Sequence, residues 1–277
     1  MTIRTRLIRL SIILGMAYIV VATVIWYSQE KLIFPGTLQK LRNWTVPDGI
    51  QSEFITSKEG ISLERWYAPA AGQERAIVIH FNGNGGILPH TGWFLKALAA
   101  SGFSSFSIDY RGFGRSSGAP SETGLYQDAQ TLLEHVQSRH NLTRTPLIIW
   151  GSSLGGGPAT YLAQQNKPAA LVLSAGFSSL DDVVNSRPLY WPFQWVLKHH
   201  FPNNQRLSTF ADYCVIIAHS RDDQVVFFDN AERNVSALSE RNRVTPIFLD
   251  NADHGLILQA TYDRTLKALN QCLPDHA

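Results

Sequence analysis

The sequence predicts an α/β protein: a mostly parallel sheet of about eight strands covered by helices on both faces, preceded by one membrane-spanning helix. Three observations lead there. Short apolar runs rich in β-branched residues alternate with amphipathic stretches of helical length. The runs are continuously apolar, as strands buried on both faces are. Ahead of them, Leu10 to Gln29 contains no charged residue.

The apolar N-terminal run is taken first. Twenty residues at about 1.5 Å rise span roughly 30 Å, the thickness of a hydrocarbon core. Arg4, Arg6 and Arg9 precede it, and Trp26 and Tyr27 stand at its far end, where an aromatic belt lies. The arginines place the N-terminus in the cytoplasm and the remainder across the membrane; Lys31, Lys40 and Arg42 after the span weigh against that orientation. A cleaved signal peptide is the competing reading. The run is long for one, and no small-x-small cleavage site follows. The expected organisation is an anchor over 1–30 and a folded domain over 31–277.

The folded part begins with Ser52–Ser57 and Ile61–Ala68, which flank Lys58-Glu59-Gly60 and alternate like an antiparallel hairpin. Parallel strands are expected at Ala76–His80, Phe103–Asp109, Pro146–Trp150, Ala170–Ser174, Tyr213–His219 and Thr245–Leu249. Helices are expected at Thr91–Ser101, Ser121–His140 and Ala159–Gln165, the second opened by the capping residue Ser121. Residues 177–210 break the alternation. They hold Phe177, Tyr190, Trp191, Phe193, Trp195, Phe201 and Phe210, with Pro188, Pro192 and Pro202 interrupting any long helix. This is the pattern of an inserted cap over the carboxyl end of the sheet, where open α/β folds bind ligands.

Composition excludes some functions. The chain has 277 residues, 44% hydrophobic and 17% charged, with a net charge of +2. Arg4, Arg6, Arg9 and Glu30 account for all of that net charge, so the folded part is neutral. A nucleic-acid binder concentrates its basic residues on the fold, and this chain does not. Cys214 and Cys272 give no metal spacing. Cys214, within an apolar run, reads as a buried thiol, and a single long-range bridge stays open.

The strongest chemical signal is Gly151-Ser152-Ser153-Leu154-Gly155, between a strand and a helix. G-x-S-x-G in that context is a nucleophile elbow. The turn lifts its central serine above the sheet, at a helix N-terminus whose free N–H groups favour developing negative charge. Ser152 competes, but only Ser153 has glycine at both −2 and +2. A serine needs a base, and the base needs an orienting acid. His254 follows the last strand, and Asp222 and Asp223 follow the preceding one, giving the order Ser, Asp, His.

From about Glu30 onward the chain resembles the α/β-hydrolase superfamily, in particular its small membrane-anchored ABHD-like serine hydrolases. The likeness rests on the stretches 80–86 (HFNGNGG), 109–116 (DYRGFGRS), the elbow and 219–226 (HSRDDQVV). The family pattern H-G-x-x-D-x-x-V-P implies Asp223 as the acid, with Ser220 in place of the usual Gly and Phe227 in place of Pro. The family's H-G-x oxyanion loop becomes Asn82-Gly83-Asn84 here, which implies the backbone N–H groups of Asn84 and Leu154 as oxyanion donors. Pro158, in the helix after the elbow, is a departure that removes a helical hydrogen bond.

The resemblance implies a serine hydrolase with the triad Ser153, Asp223 and His254 and no cofactor or metal. The expected substrates are carboxylic esters, lipid esters or thioesters with apolar acyl chains, an acylated protein among them. A serine peptidase or amidase, or a non-catalytic binding protein of the same fold, are the alternatives. The expected partners are this acyl substrate and the bilayer, and no nucleic acid.

Overall fold

The computed structural model describes residues 3–39 and 44–273, so Lys40 and Arg42 lie outside the described residues. A long helix α1 (Ile3–Ile33) leads into a 3-10 turn at Pro35–Leu38. There follow β1 (Gln51–Thr56), β2 (Ser62–Ala68), β3 (Ala76–Phe81), α2 (Leu88–Ala100), β4 (Phe103–Ile108), α3 (Glu122–Arg139), β5 (Leu147–Ser152) and α4 (Gly156–Asn166). The chain continues through β6 (Ala170–Ser174), α5 (Leu180–Asn185), α6 (Asn203–Leu207), β7 (Cys214–Ser220), α7 (Asp229–Ala237), β8 (Arg243–Leu249), α8 (Ile257–Ala260) and α9 (Tyr262–Cys272).

These strands form one eight-stranded sheet in the order β1-β2-β4-β3-β5-β6-β7-β8. The leading hairpin β1–β2 and the β2–β4 pairing are antiparallel, and the remaining pairings are parallel. The continuous apolar runs have a simple cause. Ile77 and Ile79 face the layer containing α3, α4 and α7, whereas Ala76 and Val78 face the layer of α2 and α9. Because successive side chains point to opposite faces and both faces are covered, the strands are apolar along most of their length, with His80 of β3 and Ser104, Ser105 and Ser107 of β4 among the buried polar exceptions.

Ser121 caps α3 as its sequence suggests, its Oγ accepting the Gly124 N–H at 3.0 Å. Pro158 costs no hydrogen bond, contrary to expectation. It is the third residue of α4, in the first turn, where an N–H has no partner within the helix. Cys214, expected as a buried thiol, is bonded to Cys272 across 58 residues, with Cα atoms 5.7 Å apart. The bridge ties the start of β7 to the end of α9.

Helix α1 reaches beyond the expected span at both ends, and its side chains are almost all exposed, as in a helix built to meet lipid. It is long and apolar enough to cross a membrane, with a mean hydropathy of 2.2 in its most apolar 18 residues. Its second half is not free, because the cap lies along it. The Tyr18 hydroxyl donates to the Pro192 carbonyl at 2.7 Å, and Tyr18 stacks on Phe193. The buried Gln29 side chain donates to Val196 O and accepts the Lys198 N–H, and Lys198 pairs with Glu30 at 2.8 Å. Phe34, just after the helix, is fully buried against Phe201 and His199.

Candidate active site

The sharpest backbone feature sits between β5 and α4. Ser152 is still extended, Ser153 turns to φ 51°, and a 3-10 turn over Ser153–Gly155 opens into α4. A positive φ is uncommon for a residue with a side chain and persists where the surroundings impose it. The flanking glycines impose it here. A Cβ on Gly151 would stand 2.5 Å from the Gly155 carbonyl oxygen, and one on Gly155 would overlap the Phe81 carbonyl oxygen. Only hydrogen fits at either position, so the turn can close tightly beside β3.

The turn delivers the Ser153 hydroxyl to His254. Oγ lies 3.0 Å from His254 Nε2, and His254 Nδ1 lies 2.6 Å from Asp223 Oδ2. Asp223 is almost fully buried, and its other oxygen accepts the Val225 and Val226 N–H groups at 2.8 and 2.9 Å. Burial pushes its carboxyl pKa up. The hydrogen bond from His254, the charge interaction with it and the two backbone N–H groups outweigh burial, holding the pKa below its ordinary value. Asp222 is spent elsewhere: its Oδ2 accepts the Asn251 N–H at 2.7 Å and so braces the loop that carries His254. His219 also approaches Asp223, at 3.4 Å, while its Nε2 faces the Val226 carbonyl at 2.9 Å.

The loop after β3 passes over the serine. Gly83 comes so close that a Cβ there would stand 3.4 Å from Ser153 Cβ. Asn82 is pinned beneath the loop, its amide donating to Thr91 Oγ1 and its carbonyl accepting the Tyr110 hydroxyl. Asn84 lines the cavity with Ser153, and Leu154 is the next residue along the elbow turn. The segment after α1 holds this loop from outside. Gly36 N–H donates to Asn84 O at 2.9 Å, and the Gln39 amide donates to Gly85 O at 3.0 Å.

The cavity at the serine has a volume of about 360 Å³ and is walled by the 82–86 loop, His80, Thr91, Trp93, Ser152, Ser174, His254 and Leu258. Among the described residues, none of its walls comes from 177–210. The aromatic segment covers α1 and the core, and it does not line the space next to Ser153. One pairing escaped the sequence reading. His80 and Ser152, on neighbouring parallel strands, are joined at 3.0 Å between Nε2 and Oγ. A polar residue ending an apolar strand was the only signal for His80.

Among the described residues no cluster of His, Cys, Asp and Glu could hold a metal. Asp109 and Arg111 organise the loop after β4. Asp109 accepts the Leu88 N–H at the start of α2, and Arg111 pairs with the buried Asp128 at 2.9 Å.

A strained serine on a strand–turn–helix elbow, in an eight-stranded sheet of this order, defines an α/β-hydrolase fold. Within that class, the chain belongs to the hydrolase family described as serine aminopeptidase, S33, whose family model matches residues 72–227, more than half of the chain. It is similar to an uncharacterized protein of Mycobacterium tuberculosis, 32% identical over 80% of each chain. It is also similar to the lysophosphatidylserine lipase ABHD12 of Gallus gallus, 30% identical over 64% of this chain and 52% of that one. Among solved structures it resembles the esterase Pf2001 of Pyrococcus furiosus, with a TM-score of 0.68 and 16% identity over 84% of this chain and 96% of that one.

Proposed function

We propose that this protein is a membrane-anchored serine hydrolase that cleaves carboxylic esters or thioesters of lipid-like acyl substrates by acyl transfer. The observation that carries the reading is the hydrogen-bonded relay from Ser153 through His254 to Asp223. Ser153 Oγ attacks the acyl carbon while His254 Nε2 takes its proton, and Asp223 holds Nδ1 protonated so that Nε2 is the free base. The backbone N–H groups of Asn84 and Leu154 donate hydrogen bonds to the developing oxyanion. His254 returns the proton to the departing alcohol or thiol. Water then repeats the cycle on the acyl-enzyme and releases the acid.

Relatives of this family include a lipase, which supports lipid-like acyl groups. Thioesters, including those of acylated proteins, would pass through the same steps with a thiol leaving. The family's description favours a second reading, an aminopeptidase. That activity must hold a substrate ammonium, and the cavity walls carry no Asp or Glu. The ester reading is therefore the better supported.

For location, we place α1 across the bilayer, its N-terminus cytoplasmic and the folded domain opposite. Arg4, Arg6 and Arg9 flank the span, and the Cys214–Cys272 bridge suits an oxidising compartment.

The test uses the full chain in detergent with a series of p-nitrophenyl esters. Ser153→Ala should lower turnover by about 10⁴-fold or more, and Asp223→Asn by about 10²- to 10⁴-fold. Full turnover by folded Ser153→Ala contradicts the mechanism. In sealed vesicles with the cytoplasmic face outward, the domain should resist protease until detergent is added. Digestion without detergent contradicts the orientation.

A further inference from the structure

The second serine–histidine pair, His80 and Ser152, opens onto the same cavity as Ser153. His80 is fully buried and meets the edge of Phe94, with ring centroids 4.8 Å apart. Its Nδ1 is buried without a hydrogen-bond partner among the described residues. Burial alone pushes its pKa down to about 3, so the ring is neutral and carries one N–H. Placing that proton on Nδ1 would strand a buried donor, whereas placing it on Nε2 strands only a lone pair. The second arrangement is the cheaper, since orphaned buried N–H groups are the rarer and costlier defect.

With Nε2 protonated, His80 donates to Ser152 Oγ, and the Ser152 proton must find its acceptor elsewhere. Ser152 is partly exposed and lines the cavity, so that proton points to the ligand. Among the described residues the cavity walls combine Asn82, Thr91 and Ser174 with Trp93 and Leu258, and no Asp, Glu, Lys or Arg contributes. A hydroxyl donor beside the nucleophile is matched by an oxygen acceptor, which the alcohol half of an ester can supply and an alkyl chain cannot.

We propose that Ser152, held as a donor by His80, forms a subsite for an uncharged oxygen, a hydroxyl or ether, on the leaving alcohol next to the scissile bond. The proposal rests on the serine-hydrolase reading above. Ser152 would touch substrate, and His80 would be a positioning residue acting through it.

The test compares two esters of one acid, 1-butyrylglycerol and propyl butyrate, with the full chain in detergent. The wild type should favour the glycerol ester in kcat/KM. Ser152→Ala should cut that preference about 3- to 10-fold, the worth of one neutral hydrogen bond. His80→Gln, whose amide still donates, should keep most of the preference, and His80→Leu should lose it. A preference absent from the wild type, or unchanged in folded Ser152→Ala, overturns the subsite. Loss in His80→Gln equal to that in His80→Leu overturns the role of His80. If the wild type cleaves neither ester, or Ser153→Ala cleaves both, the hydrolase reading itself fails and takes this proposal with it.

Discussion

Ser153 and Ser152 are chemically identical neighbours with opposite environments. Ser153 stands at a strained φ with a partly exposed histidine whose far nitrogen meets a carboxylate. Ser152 stands on extended backbone beside a histidine with no carboxylate and a pKa of about 3, too weak a base to accept a proton in the cycle. Motif arithmetic on the two flanking glycines selects Ser153, the serine whose Oγ faces His254 Nε2. The choice between Asp222 and Asp223 needed a family pattern, because both follow β7 and both bond the His254 loop. The His80–Ser152 pair was not legible. Its members are 72 residues apart, and only the β3–β5 register brings them together.

Asp109 carries a pH prediction at the same scale. Burial pushes its carboxyl up to about 7, despite the Leu88 N–H it accepts. A raised acid pKa means that the unfolded chain releases this proton near pH 4 while the folded chain keeps it. Folded-state stability is therefore lost as pH rises from about 4 to 7, and the penalty is complete above that. Asp109→Asn keeps an acceptor for Leu88 and removes the titration. Thermal melts should show the Tm of Asp109→Asn, relative to wild type, rising from pH 5 to pH 8. A difference flat across that range would contradict the assignment.

At the level of elements, strand positions were readable because a strand buried on both faces is a continuous apolar run. Observed ends fall within two residues of those expected from composition, as at Ala170–Ser174. The cap was legible as an insertion but not in its placement. Nothing in its aromatic spacing says that Tyr18 and Gln29 of α1 would receive it. The contacts run from Tyr18 to Gln29, about 16 Å along the helix at 1.5 Å per residue. The 3-10 turn after α1 is the second element whose role spacing could not reveal. Gly36 lies so close to the Phe113 ring that a Cβ would overlap it, and that Cβ would stand 3.0 Å from the Asn84 carbonyl. Gly36→Ala should cost about 1–3 kcal/mol by overpacking and should lower kcat through the displaced Asn84 loop. Unchanged melting and turnover would make this segment a passive tether.

For the whole molecule, charge and covalent linkage divide between the apolar N-terminal helix and the rest of the chain. The net charge of +2 resides in the first 30 residues, while the rest of the chain is neutral overall and its described residues present a cavity with no Asp, Glu, Lys or Arg in its walls. The Cys214–Cys272 bridge closes the last strand–helix unit. Sequence spacing left it open, because two cysteines 58 residues apart become neighbours only when α9 packs back against β7. The fold is thus held by packing, by the bridge and by the contact of the cap with α1.

The central claim is that one serine of a pair, Ser153, is the nucleophile. Labelling the detergent-solubilised full chain with a fluorophosphonate and locating the adduct by fragment mass spectrometry tests it most directly. The adduct should sit on Ser153 and disappear in Ser153→Ala, while Ser152→Ala still labels. An adduct on Ser152, or none in folded wild-type protein, would contradict the account.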